Sequence, residues 1–276
     1  MMVRSAARAA ADLVEDPVLG RHRWVGLLDG VVVGTATARP TGGATAFVAV
    51  EVDPSHGSRG VGSALLRAAV SMVPDVTELS SVCSGEPIAL AFAIRHGFLP
   101  VGEHQLSGVD PATVPPVGLP PPGLAPVRLD VLGDVDGVLE THNRCAVDDP
   151  SGLSRVFTRE TFLADWWNSP DNAPELSWAL VDPTGPTPVV AAFTSVQVDR
   201  DRHRAWSAMT ATHPDHRGRG LARWVKQKAL NEVAAAGVLE ALTANDASNV
   251  PMLAVNEALG YRPRARTVRV ERRLGH

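Results

Sequence analysis

Apolar residues recur every four positions along one segment in the last third of the chain. They are Leu221, Val225, Ala229 and Val233. The other positions of the same segment include the polar residues Lys226, Lys228, Asn231 and Glu232. Residues four apart lie on one side of a helix, so the spacing predicts an amphipathic helix that covers a sheet.

Short apolar runs elsewhere predict strands. They cover residues 24–28, 127–132, 177–181, 189–198 and 205–212. Helices are predicted near residues 4–13, 135–143 and 159–167. Strands and helices together indicate an α/β fold.

One pattern of glycine and basic residues occurs twice in the chain. The second copy contains Pro214, His216, Arg217, Gly218, Arg219, Gly220, Leu221 and Ala222. The first contains Pro54, His56, Gly57, Arg59, Gly60, Val61 and Gly62. Each copy follows a strand-like run and opens a helix-like one. Such a turn leaves backbone N–H groups unpaired at the positive end of the helix dipole, which predicts phosphate binding.

A second helical segment ending in glycine and an aromatic residue follows each copy. It runs over residues 86–97 before Phe98, and over residues 249–260 before Tyr261. With this repeated order of elements, the sequence resembles the GNAT acyltransferase superfamily. In that family the pattern Arg/Gln-x-x-Gly-x-Gly/Ala holds the pyrophosphate of CoA. Arg217, Gly220 and Ala222 match it fully.

The resemblance implies two tandem GNAT-like domains, each a mixed, mostly antiparallel sheet flanked by helices. Residues 1–108 would form a truncated, degenerate domain, because Gly57 replaces the arginine of the motif and few residues precede the first predicted strand. This domain is expected to lack the first strand and one opening helix. Residues 127–276 would form the active domain. Residues 109–126 are rich in proline and are predicted to be a stiff, extended linker.

Composition narrows the function further. The 276 residues are 45% apolar and 20% charged, as in an ordinary soluble protein, and no apolar run reaches the ~20 residues of a membrane span. The net charge of −4 disfavours a nucleic-acid partner. Cys83 and Cys145 are the only cysteines, which favours a reducing, cytoplasmic location. Residues 4–13 are interpreted as a helix rather than a targeting peptide.

The resemblance also implies acetyl-CoA as a co-substrate. The residues predicted to bind it are Thr212, Arg217, Gly218, Arg219, Gly220, Leu221, Ala222 and Asn249. A metal site is not expected, because His203, His213 and His216 lack carboxylates at ligand spacing.

The usual acid and base of the family are both missing. A primary amine has a pKa of roughly 10, so a base or a water chain must deprotonate it. Many members use a Glu on the strand before the turn, but residues 205–212 contain no carboxylate. Many use a Tyr in the last helix as acid, where this chain has Asn256, and Ala93 in the first copy. Thr210 and Asn256 are candidates to order a catalytic water, with a structural role as the alternative.

Replacement groups are expected in the loop after the first helix of the second domain. His142, Cys145, Asp148 and Asp149 are assigned to this loop. The two aspartates would bind a cationic acceptor, and one would serve as base; the alternative is a turn with a helix cap. Cys145 as a covalent nucleophile is less favoured, because family members usually transfer the acyl group directly.

The sequence therefore predicts an acetyl-CoA-dependent N-acyltransferase. Its second domain would transfer the acyl group in a ternary complex to an amine, a small molecule more readily than a protein. The alternatives are a non-catalytic acyl-CoA-binding or regulatory protein, and an oligomeric scaffold that binds no ligand. A homodimer through an open sheet edge is also possible.

Overall fold

The computed structural model describes residues 14–16, 21–28, 30–149, 154 and 156–275. The chain forms two compact units. The first contains Met1–Glu103 and Thr267–His276, and the second contains His104–Arg266. The helix predicted at residues 4–13 lies outside the described residues.

The first unit contains strands that are mostly antiparallel. Its elements in chain order are β1 (Val14–Asp16), β2 (Arg21–Leu28), β3 (Val31–Gly42), β4 (Thr45–Val52), α1 (Val61–Ser71), β5 (Glu78–Ser84) and α2 (Pro87–Arg95). The strands β1 to β4 pair antiparallel in sequence order. After α1 the chain returns in β5, which pairs parallel with β4.

Helix α1 packs closely on this sheet. Its residues Leu65, Leu66 and Ala69 are buried in the core of the first unit. Gly26 on β2 permits the approach, because a Cβ there would lie 2.8 Å from Cγ1 of Val61. A larger residue at position 26 would push the helix away from the sheet.

The second unit repeats the plan with additional helices. Its elements are residues 104–109 of β6 (Leu99–Val109), β7 (Ala125–Arg128), α3 (Leu129–Leu132), α4 (Val135–Ala146), α5 (Arg159–Phe162) extended by a π-helical turn over Leu163–Trp167, β8 (Trp178–Asp182), β9 (Val189–Asp199), β10 (Arg204–Thr212), α6 (Leu221–Ala235), β11 (Glu240–Asp246), α7 (Val250–Ala258) and residues 262–266 of β12 (Arg262–Arg273). The other residues of β6 and β12 belong to the first unit. The strands β7 to β10 pair antiparallel in sequence order, and β11 is parallel to β10. The mixed sheets and flanking helices confirm the predicted fold class.

The strand that ends each sequence repeat pairs with a strand that belongs to the other repeat. Residues 104–109 of β6 pair antiparallel with β11 of the second unit. Residues 267–273 of β12 pair antiparallel with β5 of the first unit. The boundaries predicted at residues 108 and 127 follow the sequence repeat and stay a prediction. The compact units instead separate after Glu103 and after Arg266.

Two predicted elements need correction. The strand predicted at residues 127–132 ends at Arg128, and Leu129–Leu132 form a short helix that ends at Gly133 with a φ of 69°. The first strand that we expected the N-terminal copy to lack is present as β1, paired with β2. Only four residues separate β1 from β2, whereas α3, α4 and α5 lie between β7 and β8.

The proline-rich segment packs along α6. The indole Nε1 of Trp224 donates to the carbonyl oxygens of Gly118 and Leu119, both at 3.1 Å. The backbone N–H of Val117 donates to Oδ1 of Asn231 at 2.8 Å. Leu124 is buried in the same unit. This segment is therefore part of the second unit's fold rather than a separate spacer.

Candidate functional site

The parallel strands β10 and β11 diverge after a short paired stretch. They pair only over residues 204–206 and 240–242, although β10 continues to Thr212 and β11 to Asp246. A bulge between Ser207 and Met209 changes the register of β10 against β9 where the separation begins. We call residues 207–212 and 243–246 the wedge. Its facing edges carry backbone groups that an extended ligand with amide groups can pair with.

A glycine turn follows β10 at the open end of the wedge. Gly218 and Gly220 have φ angles of 75° and 74°, in the left-handed region that favours glycine. A Cβ at either glycine would have no atom within 4 Å, so the space above the turn is open. Helix α6 begins after Gly220 without a side-chain cap. The first N–H groups of α6 therefore face open space, which fits an anion such as a pyrophosphate.

Arg217 projects from this turn and contacts both Asp148 and the end of β10. Its Nη1 donates to Oδ2 of Asp148 at 2.8 Å, and its Nε donates to the carbonyl oxygen of Thr212 at 3.4 Å. The hydrogen bond to Asp148 raises the pKa of the Arg217 guanidinium. A permanent positive charge therefore lies beside the open turn, where an anionic ligand would be attracted.

Asp148 and Asp149 lie after the end of α4, as predicted. His142 and Cys145 were also predicted to lie after the helix, but they do not. His142 and Cys145 lie on α4 itself, because the helix continues to Ala146 instead of ending near residue 143. The His142 ring is buried, and its centroid is 5.1 Å from that of Phe157. Oδ2 of Asp149 accepts the backbone N–H of Ser154 at 3.2 Å, as in the alternative turn role.

Cys145 contacts the end of β10. Its thiol donates to the carbonyl oxygen of Thr212 at 3.1 Å. The sulfur also lies 3.9 Å from Nη2 of Arg217. Cys145 therefore helps to hold α4 against the strand that leads into the glycine turn.

Two threonines of β10 have polar atoms available in the wedge. The hydroxyl of Thr194 donates to the carbonyl oxygen of Met209, so Thr210 must donate to Thr194 across their 2.8 Å contact. The lone pairs of Thr210 remain available to accept. Oγ1 of Thr212 is buried without a hydrogen-bond partner among the described residues. A buried orphan hydroxyl beside the glycine turn is consistent with a ligand group that completes its bonding.

The remaining predicted cofactor residues differ in position. Arg219 reaches back over the turn, where its Nη1 lies 3.1 Å from Nδ1 of His216. Leu221 and Ala222 form the first turn of α6, and the Leu221 side chain is buried. Asn249 caps α7, since its Oδ1 accepts the backbone N–H of Met252 at 3.2 Å. Asn249 therefore has a structural role, and its predicted contact with CoA would require the same side chain.

Asn256 belongs to a buried polar cluster that the sequence analysis missed. Its Oδ1 accepts a hydrogen bond from Nζ of Lys226 at 2.6 Å, and its Nδ2 donates to Oδ1 of Asn245 at 2.6 Å. Nζ of Lys226 also lies 3.4 Å from Oγ1 of Thr243 and 4.9 Å from the ring centroid of Tyr261. The side chain of Asn256 is thus held on both polar ends.

Lys226 is 1% exposed. Burial lowers the pKa of Lys226 to about 7. The prediction that Lys226 lies on the polar side of the amphipathic helix is wrong. The sequence did contain a signal for the burial of Lys226. Leu230 lies four residues further along the helix and is also buried, so the apolar side that includes Leu230 also includes position 226.

The sequence model of the Acetyltransferase (GNAT) family matches residues 5–98 and again residues 140–261. The chain belongs to this family. The two matched regions correspond to the two sequence repeats, so this is a tandem member, as the sequence predicted.

Solved structures of the same family share the fold. A tandem GNAT protein from the clavulanic acid biosynthesis pathway has a TM-score of 0.73 and 26% identity, over 94% of this chain and 85% of the other. A GCN5-related N-acetyltransferase from Sphaerobacter thermophilus has a TM-score of 0.72 and 18% identity, over 94% and 82%. A GCN5-related N-acetyltransferase from Kribbella flavida has a TM-score of 0.60 and 20% identity, over 100% and 98%. None of the curated proteins matches significantly.

The described part of the chain contains no helix with the length and apolar character needed to cross a membrane. It also contains no group of three or more His, Cys, Asp or Glu side chains arranged to hold a metal ion.

Proposed function

We propose that this GNAT family member is an acetyl-CoA-dependent N-acyltransferase, and that its second unit transfers the acyl group directly to a small-molecule amine. The observation that carries the proposal is the open glycine turn beside Arg217, at the mouth of the wedge between β10 and β11. This arrangement supplies an anion site next to strand edges that can pair with amides.

The residues of the turn would hold the pyrophosphate of CoA. The backbone N–H groups of residues 218–222 supply neutral donors, and Arg217 supplies a charged one. The amides of the pantetheine arm would pair with the free edges of the wedge. Thr212 would then gain the partner that its buried hydroxyl lacks.

Acyl transfer by such a site rests on proximity and polarisation. A backbone N–H of β10 beside the bulge would polarise the thioester carbonyl, while the acceptor amine is held next to it. The residues of β10 carry no carboxylate to take the proton from the amine. A water accepted by Thr210 is our candidate for the first proton acceptor.

Asp148 is our candidate for binding a cationic acceptor. In the ligand-free structure its carboxylate is paired with Arg217. A phosphate bound at the turn would compete for the same guanidinium, so it would release Asp148. A carboxylate released at the mouth of the wedge would favour an ammonium group there.

The comparison of the two repeats supports activity in the second unit. In the first unit, β4 and β5 also diverge beyond residues 45–47 and 78–80, and α1 also begins without a side-chain cap. The position of Arg217, however, is taken by Gly57. The first turn therefore lacks the cation that Arg217 supplies, although Arg59 occupies the position of Arg219.

A small acceptor is favoured over a protein by one comparison. The tandem relative at 26% identity comes from the clavulanic acid biosynthesis pathway, and clavulanic acid is a small molecule. This supports a small amine as the acceptor of this chain.

Titration calorimetry followed by a turnover screen tests the proposal. Purified protein is titrated with acetyl-CoA, and release of free CoA thiol is then followed over a panel of small amines. We expect one strong site and amine-dependent thiol release. Binding without turnover on any amine would favour the non-catalytic acyl-CoA-binding alternative. Absence of binding would leave the family's fold without the proposed activity.

A further inference from the structure

Lys226 is a buried cation with neutral partners. Its Nζ contacts the amide oxygen of Asn256, the hydroxyl of Thr243 and the ring of Tyr261. These three contacts match the three N–H donors of an ammonium group. None of them carries a negative charge, so the positive charge of protonated Lys226 is not compensated within the cluster.

The fold itself does not require this polar cluster, because the first unit does without it. Lys226 is the sixth residue of α6, and the sixth residue of α1 is Leu66. Asn256 lies seven residues after the cap of α7, and the same position after the cap of α2 is Ala93. Leu66 and Ala93 are both buried in the core of the first unit. An apolar pair therefore fills the same place in the same fold.

The cluster lies at the closed end of the wedge. Thr243 is the first residue of β11 beyond its paired stretch, and Ser207 is the first of β10. The hydroxyl of Tyr261 is 3.5 Å from Oγ of Ser207. A ligand arm that starts at the glycine turn and follows β10 backwards along residues 207–212, roughly 17–20 Å, ends beside this cluster. In acetyl-CoA, the end of that arm is the sulfur.

We propose that the Lys226 ammonium stabilises the thiolate of departing CoA and donates the proton that converts it to the thiol. The proposal rests on the proposed function, since it requires CoA in the wedge. The acceptor nitrogen bonds to the carbonyl carbon, the C–S bond breaks, and its electron pair stays on sulfur. A proton then passes from Lys226 to sulfur. The acceptor nitrogen loses one proton to solvent, and Lys226 regains one from solvent after CoA leaves.

The surroundings of Lys226 suit this role. The titratable group that faces it is Tyr261, and burial raises the pKa of Tyr261 to about 12, so this phenol stays neutral. The neighbours from β11 and α7, Thr243 and Asn256, do not titrate. Burial alone lowers the pKa of Lys226 to about 7, so the group can both hold and release a proton near neutrality.

The thiol pKa of bound CoA tests the proposal without any acceptor. The ultraviolet absorbance of the thiolate is followed against pH for CoA in complex with the protein, and the complex with S-methyl-CoA provides the baseline. Lys226 and the thiol should titrate as a coupled pair, because a thiolate beside Lys226 favours the protonated lysine. We expect the thiolate absorbance to appear about one pH unit lower in the wild type than in Lys226→Met, a tenfold change in the apparent ionisation constant. An equal thiol pKa in both proteins would overturn the proposal.

Two further variants keep the result interpretable. Lys228→Met removes a charge from the same helix, but Lys228 pairs with Glu232 and lies over Trp178, so the thiol pKa should not change. A lowered thiol pKa that is lost equally in Lys228→Met would also overturn the proposal. If Lys226→Met does not fold, Lys226→Leu combined with Asn256→Ala recreates the apolar pair of the first unit. Failure of CoA to bind the wild type would instead refute the proposed function.

Discussion

The guanidinium of Arg217 donates to the carboxylate of Asp148 at 2.8 Å, across 69 residues of sequence. The residue proposed to bind phosphate is therefore paired with the residue proposed to bind the amine. Both side chains are about half-exposed, so the pair contributes only about 0–1 kcal/mol. An incoming phosphate can displace Asp148 at this small cost, and the two substrates are then coupled through one arginine.

Asp148→Asn should affect the two substrates in opposite directions. Removing the competing carboxylate should tighten acetyl-CoA binding up to about fivefold, the equivalent of about 1 kcal/mol. The same change should raise KM for a cationic amine. Calorimetry measures the first effect, and initial rates with an acceptor from the amine screen measure the second.

Asp149→Asn is the matched control for this experiment. Asp149 accepts a backbone N–H from Ser154 in the turn after α4, so its substitution should leave acetyl-CoA affinity unchanged. If Asp148→Asn weakens acetyl-CoA binding, the competition between the carboxylate and the phosphate is refuted.

Gly220→Asp should abolish acetyl-CoA binding to the second unit. A carboxylate there would stand at the start of α6, where the phosphate must approach, and would repel it. Gly220→Asn is nearly the same size, and asparagine tolerates the left-handed backbone of this position, so it should retain part of the affinity. Calorimetry on both variants separates the effect of charge from that of bulk.

Gly60→Asp makes the same change in the first unit. We expect it to leave acetyl-CoA binding unchanged, because the first turn has Gly57 in place of the arginine. Loss of binding through Gly60→Asp alone would reverse the assignment of the working half.

Asn231→Ala should destabilise the second unit by about 1–2 kcal/mol. The variant loses the hydrogen bond from Val117 and leaves that partly buried backbone N–H without its partner. Urea unfolding of the two proteins measures the difference. Gln227→Ala is a suitable control, because its bond to Pro115 is exposed and should contribute only a few tenths of a kcal/mol. Equal stability of Asn231→Ala and the wild type would mean that the proline-rich segment is not held by these bonds.

The free energy of unfolding should rise with pH because of Lys226. Burial lowers the pKa of Lys226 to about 7 in the folded protein, whereas an unfolded lysine titrates at about 10.4. Between these values the unfolded chain binds a proton that the folded chain does not, so stability increases with pH by at most about 1.4 kcal/mol per pH unit. Below pH 7 both states carry the proton, and this contribution no longer changes.

Urea unfolding at pH 7.5 and pH 9.5 tests this linkage. The increase in unfolding free energy should be smaller in Lys226→Met than in the wild type, because methionine does not titrate. Lys228→Met should behave like the wild type. The same increase in all three proteins would show that Lys226 is not the group responsible.

The sequence correctly predicted the helices and strands whose formation depends on residues close together in the chain. Leu221, Val225, Ala229 and Val233 are all buried, as their four-residue spacing predicted. The strands at residues 189–198 and 205–212 are present within a residue of their predicted ends. These elements depend on periodicity and turn residues, which are visible in a single sequence.

The side-chain partners of the catalytic candidates could not be predicted from the sequence. Asn256 was chosen by its position in the last helix, and the structure shows its amide held between Lys226 and Asn245. Asp148 was assigned to the acceptor, and the structure shows it paired with Arg217. Their roles stay a prediction, because side-chain partners come from segments far apart in the chain.

The sequence by itself determined the family, the two repeats and the glycine turn, because each is carried by residues close together in the chain. Only the tertiary structure decided which strand completes each sheet. β6 pairs with β11 and β12 pairs with β5, and the residue pattern within the two strands does not indicate these partners. It also decided the burial of Lys226, which depends on Thr243 and Asn256 arriving from other elements. Long-range pairing is fixed by the packing of the whole unit, and no local window of sequence contains that information.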